Sequence, residues 1–409
     1  MTPRERVLSV LEHREVDRIP IDFAGHRSSG ITAIAYAKLL KLLGMEGRPI
    51  RIYDPTQQLA IVDEEVLNKF GVDTIELGRG FCLDEESWVD WELPDGTPCQ
   101  MPAWASPKWE KDAWVIWSPD GRVVARMPQG SWYFEQADYP LAERSDPKDI
   151  AAVIEKRIWI GVPGVPGPLK EGLDGERLLS EGARRLREKT NRAVIGVFGG
   201  NLLELGHSLF RNDNFFILLA AEPQKAHNFL DQILEMHLAD LERYLAAVGD
   251  SIDVILFGDD LGMQTGPQIS PKMYCEFFKP RHKRLWNRAK ELANVKVMLH
   301  SCGGVRELLP HLIEAGIDAI NPVQISCARM DAAELKQEFG KDIVFWGGGC
   351  DTQSILPNST PEQIRKHVVQ QIKILGNGGG FVFQQVHNIM PNVPPQNIVA
   401  MFDAVLNQG

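Results

Sequence analysis

Short apolar runs alternate with longer amphipathic stretches along most of this 409-residue chain. Eight runs stand out, at 19–23, 73–77, 194–198, 253–257, 295–299, 318–321, 343–346 and 380–384. Each is four or five residues long, rich in Val, Ile and Phe, and closes on polar or glycine-rich residues. Runs of that length and composition between helical patterns read as buried parallel strands. Helical stretches such as 223–248 and 270–292 separate them. Thr2-Pro3-Arg4-Glu5 and Thr360-Pro361-Glu362-Gln363 place a hydroxyl at the N-cap, proline in the first turn and an acid or amide three residues on. Ser270-Pro271 opens a helix in the same way. Eight strands with intervening helices predict a TIM-type (β/α)₈ barrel of the α/β class. An open doubly wound sheet is the alternative.

One region breaks the alternation. Between about 84 and 131, two Pro-Asp-Gly turns (94–96 and 119–121) separate short extended segments. Seven of the ten tryptophans (88, 91, 104, 109, 114, 117 and 132) fall in or beside it. The pattern predicts a β-meander inserted after the second strand of a single domain spanning 1–409. Loops after barrel strands surround the mouth of the barrel, so the tryptophans either form the meander's own core or cover a flat substrate. The Gly/Pro-rich segment 161–167 reads as the connector back to the barrel.

Charge narrows the function. Lys and Arg number 44 against 55 Asp and Glu, a formal net charge of −11. Such a balance argues against nucleic acid as partner. No run approaches the roughly 18 apolar residues of a membrane span, nor does the first segment resemble a signal peptide, so a soluble, cytoplasmic protein is expected. Six dispersed cysteines read as free thiols or metal ligands rather than disulfides.

The strongest chemical signal is His300-Ser301-Cys302-Gly303-Gly304, directly after the strand VKVML. Side chains two apart on extended backbone point the same way, so His300 and Cys302 can face one metal. Gly347-Gly348-Gly349-Cys350-Asp351 follows a later strand and brings Cys350 to the same mouth. One imidazole and two thiolates suit zinc, and three protein ligands leave a coordination position open. Softer candidates end other strands. Asp259 and Asp260 are candidate acids, and His387 follows the last strand. Asp22, His26, His207 and Trp346 are candidates for substrate contact, and each also fits a structural role. Cys327 is a weaker candidate ligand.

HSCGG, GGGCD, the block GDDLGMQTGPQISPKMYCEFFKP (258–280) and the closing HNIMPNVPPQNIVAMFDA (387–404) resemble the uroporphyrinogen decarboxylase superfamily. Within it they resemble the corrinoid-dependent methyltransferase branch. That resemblance implies a TIM barrel with zinc on His300, Cys302 and Cys350, and a methyl group passed to or from the cobalt of a cobalamin carried by a separate corrinoid protein. It implies a small methylated substrate and leaves homodimer formation open. The decarboxylases carry an arginine-rich motif after the first strand, where this chain has Asp22-Phe23-Ala24-Gly25-His26-Arg27. That departure argues against decarboxylation, and the flat apolar surface of the tryptophan-rich insertion beside the mouth favours demethylation of a methoxylated aromatic donor. Methyl transfer to a thiol, decarboxylation and a non-catalytic binding role remain as alternatives.

Overall fold

The computed structural model describes residues 1–80, 85–103, 105, 107–118, 121–142, 150, 153 and 173–407. Seven strands form a parallel sheet in chain order: β1 (Thr74–Glu76), β2 (Ala193–Gly199), β3 (Val254–Gly258), β4 (Lys296–His300), β5 (Ala319–Asn321), β6 (Val344–Trp346) and β7 (Phe381–Val382). The eighth expected run closes the ring. Ile21 bridges Phe383 in parallel, the Asp22 N–H donates to the Phe383 carbonyl at 2.8 Å, and the Asp73 N–H donates to the Ile21 carbonyl at 2.8 Å. This run is an isolated bridge because Pro20 has no N–H for the ladder and Ala24 turns out of it at φ 56°. The (β/α)₈ expectation holds, and the open sheet is excluded by this closure.

Alternation along the strands divides the core in two. Ile195, Val254, Leu256, Met298, Val344 and Trp346 point into the barrel, where Val7, Val10 and Leu11 of the first helix plug one end. Val194, Ile255, Val297, Leu299 and Phe345 point outward against the helices. That first helix, Pro3–Leu11, carries the expected capping box, with the Glu5 N–H on Thr2 Oγ1 and the Thr2 N–H on Glu5 Oε2. Helix Pro361–Leu375 is capped the same way by Thr360 and Gln363. The expected helix over 270–292 is interrupted: Pro271–Met273 passes into a π-helical turn, Tyr274–Phe278, before Lys279–Leu292 resumes. Pro280 lacks the N–H that an α-helix would give to the Glu276 carbonyl, and the wider turn accommodates the gap.

The tryptophan-rich insertion is a hairpin (Trp88–Glu92 with Pro98–Pro102) followed by a four-stranded antiparallel meander running from Lys108 to Gln136. Ile116, Val124, Ala125, Met127 and Phe134 make its core, with Trp91 and Trp114 packed against them. Trp109, Trp117 and Trp132 are exposed. The tryptophans thus split between a private core and the surface. Trp104, part of the turn at 119–121, Cys82 and the connector at 161–167 lie outside the described residues. No helix among the described residues is long and apolar enough to cross a membrane.

Candidate metal and substrate site

The C-terminal ends of β3, β4 and β5 are in register, with Gly258 beside His300 and His300 beside Asn321. This places Asn321 Oδ1 2.7 Å from His300 Nδ1. The amide oxygen can only accept, so His300 carries its proton on Nδ1 and directs the Nε2 lone pair elsewhere. Nε2 faces Cys302 Sγ at 3.4 Å. The turn that presents Cys302 depends on Gly303, whose φ is 88°; a Cβ there would lie 2.3 Å from the Gly262 carbonyl carbon. The Cys302 N–H donates to Asp260 Oδ1 at 2.8 Å, and the Gly303 N–H to Gln324 Oε1 at 2.8 Å.

His300, Cys302 and His387 offer ligand atoms that all lie within 4.8 Å of one another. His387 comes from the segment after β7, and its ring centroid is 5.8 Å from that of His300. Burial, with smaller contributions from His300 and His26, pushes its pKa down to about 3, so the imidazole is neutral. Burial also lowers the pKa of His300 against the pull of Asp260 and Asn321. The Cys302 thiol is pushed well above its usual range, by burial first and then by Asp260 and Glu204. A neutral pair of imidazoles beside a thiol that needs a cation to ionise is a donor set suited to zinc.

Cys350 is not in this group. It is fully buried on the turn after β6, its Sγ contacts the Asp351 carbonyl at 3.9 Å, and burial pushes its pKa up. The Gly347 preceding it is held at φ 122° under the Pro322 carbonyl, where a Cβ would come within 2.1 Å. Cys327 donates to Gln264 Oε1 at 2.7 Å and is likewise outside the group.

The other expected residues divide sharply. Asp22 is buried and accepts from Thr74 Oγ1 (2.7 Å), Ser29 Oγ (3.1 Å), the Gly25 N–H (3.0 Å) and Trp346 Nε1 (2.7 Å), with His26 Nε2 at 3.0 Å. Burial pulls its pKa upward, but His26, Trp346 and Thr74 outweigh it and hold the carboxyl below its ordinary value. His26 has an oxygen at each ring nitrogen, including Gln384 Oε1 and Ser28 Oγ. Trp346 lies inside the barrel on Asp22. Asp259 spends both oxygens on the Leu203 and Glu204 N–H groups at the start of helix Leu203–Phe210 and has His282 Nε2 at 3.3 Å. Asp260 alone of the two acids reaches the ligand group, 3.6 Å from His300 Nε2. His207 packs against Phe215 and Phe216, and its buried Nε2 has no hydrogen-bond partner among the described residues.

Sequence reasoning missed three contributors. Asn321 links His300 to Ser28, Gln384 and the Trp346 carbonyl; it is the polar residue ending the run at 318–321. Glu204 sits in the first turn after β2. Burial, then Asp260 and Asp259, raise its pKa well above normal. Tyr133, from the end of the insertion, donates to Met390 Sδ at 2.9 Å and is in electrostatic reach of Cys302.

Several known proteins share parts of this chain. The methylated-thiol–coenzyme M methyltransferase of Methanosarcina mazei is 32% identical over 39% of this chain and 40% of its own length. The uroporphyrinogen decarboxylase of Psychromonas ingrahamii is 28% identical over 45% of this chain and 49% of its own. These matches cover about half or less of the relatives' lengths. A solved methyltransferase from Methanosarcina mazei superimposes over 99% of this chain and 98% of its own with a TM-score of 0.58 at 16% identity, a likeness of fold. The uroporphyrinogen decarboxylase (URO-D) family profile matches residues 169–408, more than half of the chain and the part that carries β2 to β7 and the ligand group, and the chain belongs to that family.

Proposed function

We propose that this protein is a zinc-dependent methyltransferase that passes a methyl group from a small methylated donor, preferentially a methoxylated aromatic, to the cob(I)alamin of a separate corrinoid protein. The observation that carries this is the convergence of His300, Cys302 and His387 within 4.8 Å at the mouth of the barrel. His300 and Cys302 are the fixed half of the zinc site. His387 completes it by geometry, and Cys350 is the ligand implied by sequence resemblance. Bound there, zinc supplies a Lewis acid for the heteroatom that loses the methyl group.

The chain's own residues do the rest. Asn321 fixes the His300 tautomer, and Asp260 orders the Cys302 backbone. Glu204, whose pKa burial raises well above its ordinary value, adds a carboxyl beside Asp260. The resemblance to a methylated-thiol methyltransferase supports a second direction, transfer from a methylated corrinoid to a thiol. Decarboxylation of a porphyrinogen fits less well, because Asp22 and His26 occupy the positions after the first strand and Arg27 lies 3.4 Å from Asp54. A single domain, a cytoplasmic location and a protein-borne corrinoid complete the proposal. The test is methyl transfer from methoxybenzenes to free cob(I)alamin by the zinc-replete protein. Zinc-dependent formation of methylcobalamin supports the demethylating direction, and turnover only from methylcobalamin to thiols reverses it.

A further inference from the structure

Tyr133, at the end of the insertion, touches the loop that follows β7. Segment 132–134 is pinned from several sides: the Phe134 side chain sits in the meander core, its N–H donates to the Thr56 carbonyl at 2.9 Å, and the Trp132 carbonyl accepts from Gln58 Nε2 at 2.9 Å. Tyr133 between them points its hydroxyl at Met390 and Asn388, in the loop that also carries His387. A thioether is a weak acceptor, so a phenol O–H resting on Met390 Sδ exchanges readily for an oxygen with developing charge. Met390 lies three residues beyond His387, so this hydroxyl rests against the loop that carries one member of the ligand group.

We propose that Tyr133 is a catalytic residue that donates a hydrogen bond to the leaving heteroatom of the methyl donor. This deepens the methyltransferase reading above and rests on it. As the bond between methyl carbon and heteroatom breaks, its electron pair stays on the heteroatom. The methyl carbon takes the electron pair of the acceptor, a low-valent cobalt or a thiolate. The phenol keeps its proton throughout, and the departing phenolate or alkoxide is protonated by water after release. A donor fixed by the scaffold and aimed at charge that develops in the transition state is worth most when the leaving group is poor.

The test is Tyr133→Phe in the full, zinc-loaded chain, with Tyr139→Phe as a control on the same segment. A series of ring-substituted methoxybenzenes varies the leaving group. Loss of about tenfold or more in kcat/KM for the poorest leaving group, shrinking toward parity for the best, supports the role. A uniform loss or no loss overturns it. Calorimetric binding of catechol, a phenolic product, gives a readout independent of turnover. Binding weakened about tenfold in Tyr133→Phe alone supports the contact, and unchanged binding overturns it. If the wild type moves no methyl group but binds catechol through Tyr133, the methyltransferase reading fails while the hydrogen bond stands. Met390→Leu removes the resting acceptor and leaves the phenol. Wild-type dependence on leaving group in that variant supports the role, and its disappearance overturns it.

Discussion

Two walls of one barrel mouth use the same kinds of side chain in opposite ways. On the wall built by the first strand and β6, Asp22, His26 and Trp346 are buried and occupy one another: Asp22 alone has five hydrogen-bonding neighbours. On the wall built by β4 and the segment after β7, His300 Nε2, Cys302 Sγ and His387 crowd together with few partners other than each other. A saturated cluster holds shape, whereas a cluster with free lone pairs is able to take a ligand. Residue type alone does not distinguish the two, because both contain histidine beside a carboxylate. The number of unspent donors and acceptors does.

Asp22→Ala is the severest way to break this contrast. It strips partners from Trp346, Thr74, Ser29 and His26 in a dry interior, and stability should fall by about 3 kcal/mol or more by urea denaturation. Folded protein that remains should still bind zinc at full stoichiometry. Loss of zinc affinity in that folded fraction would make the first wall part of the metal site.

Asn321→Ala probes the seam between the walls, since this amide touches His300 on one side and Gln384 on the other. Zinc affinity should drop about 10–100-fold by competition with a chelator, while the protein still folds. An unchanged affinity would mean that the His300 tautomer is set by another group.

The strands were legible because their alternation is local: all eight expected runs lie in the barrel, including the one that pairs only at Ile21. His300 and Cys302 were legible for the same reason, being two residues apart on one strand end. Asn321 and Gln384 carry no chemical signature, and their value comes only from the register of β4, β5 and the last strand. Asp259 illustrates the converse. Its place after β3 marked it as an acid of the mouth, but the helix that would consume both its oxygens begins more than fifty residues earlier in the chain. Tyr133 depends on how the insertion folds back, which no pattern near it encodes.

A smaller effect follows from His387. Its native pKa, about 3, lies below its ordinary 6.5, so the native state disfavours the proton that the unfolded chain accepts. In metal-free protein this contribution to stability is complete above about pH 6.5 and is lost as pH falls toward 3. His387→Gln should flatten the acid limb of the stability profile over that window, measured by urea titration at successive pH values. An identical slope in both proteins would place the unspent histidine elsewhere.

The most direct test is the zinc content of purified wild-type protein beside His300→Ala, Cys302→Ser, His387→Ala and Cys350→Ser. About one zinc per chain is expected in the wild type, lost in His300→Ala and Cys302→Ser with little change in fold. Loss in His387→Ala with retention in Cys350→Ser assigns the third ligand to the trio seen here, and the reverse assigns it to the turn after β6. Full zinc in Cys302→Ser, or none in metal-replete wild type, would contradict a metal centre at the barrel mouth.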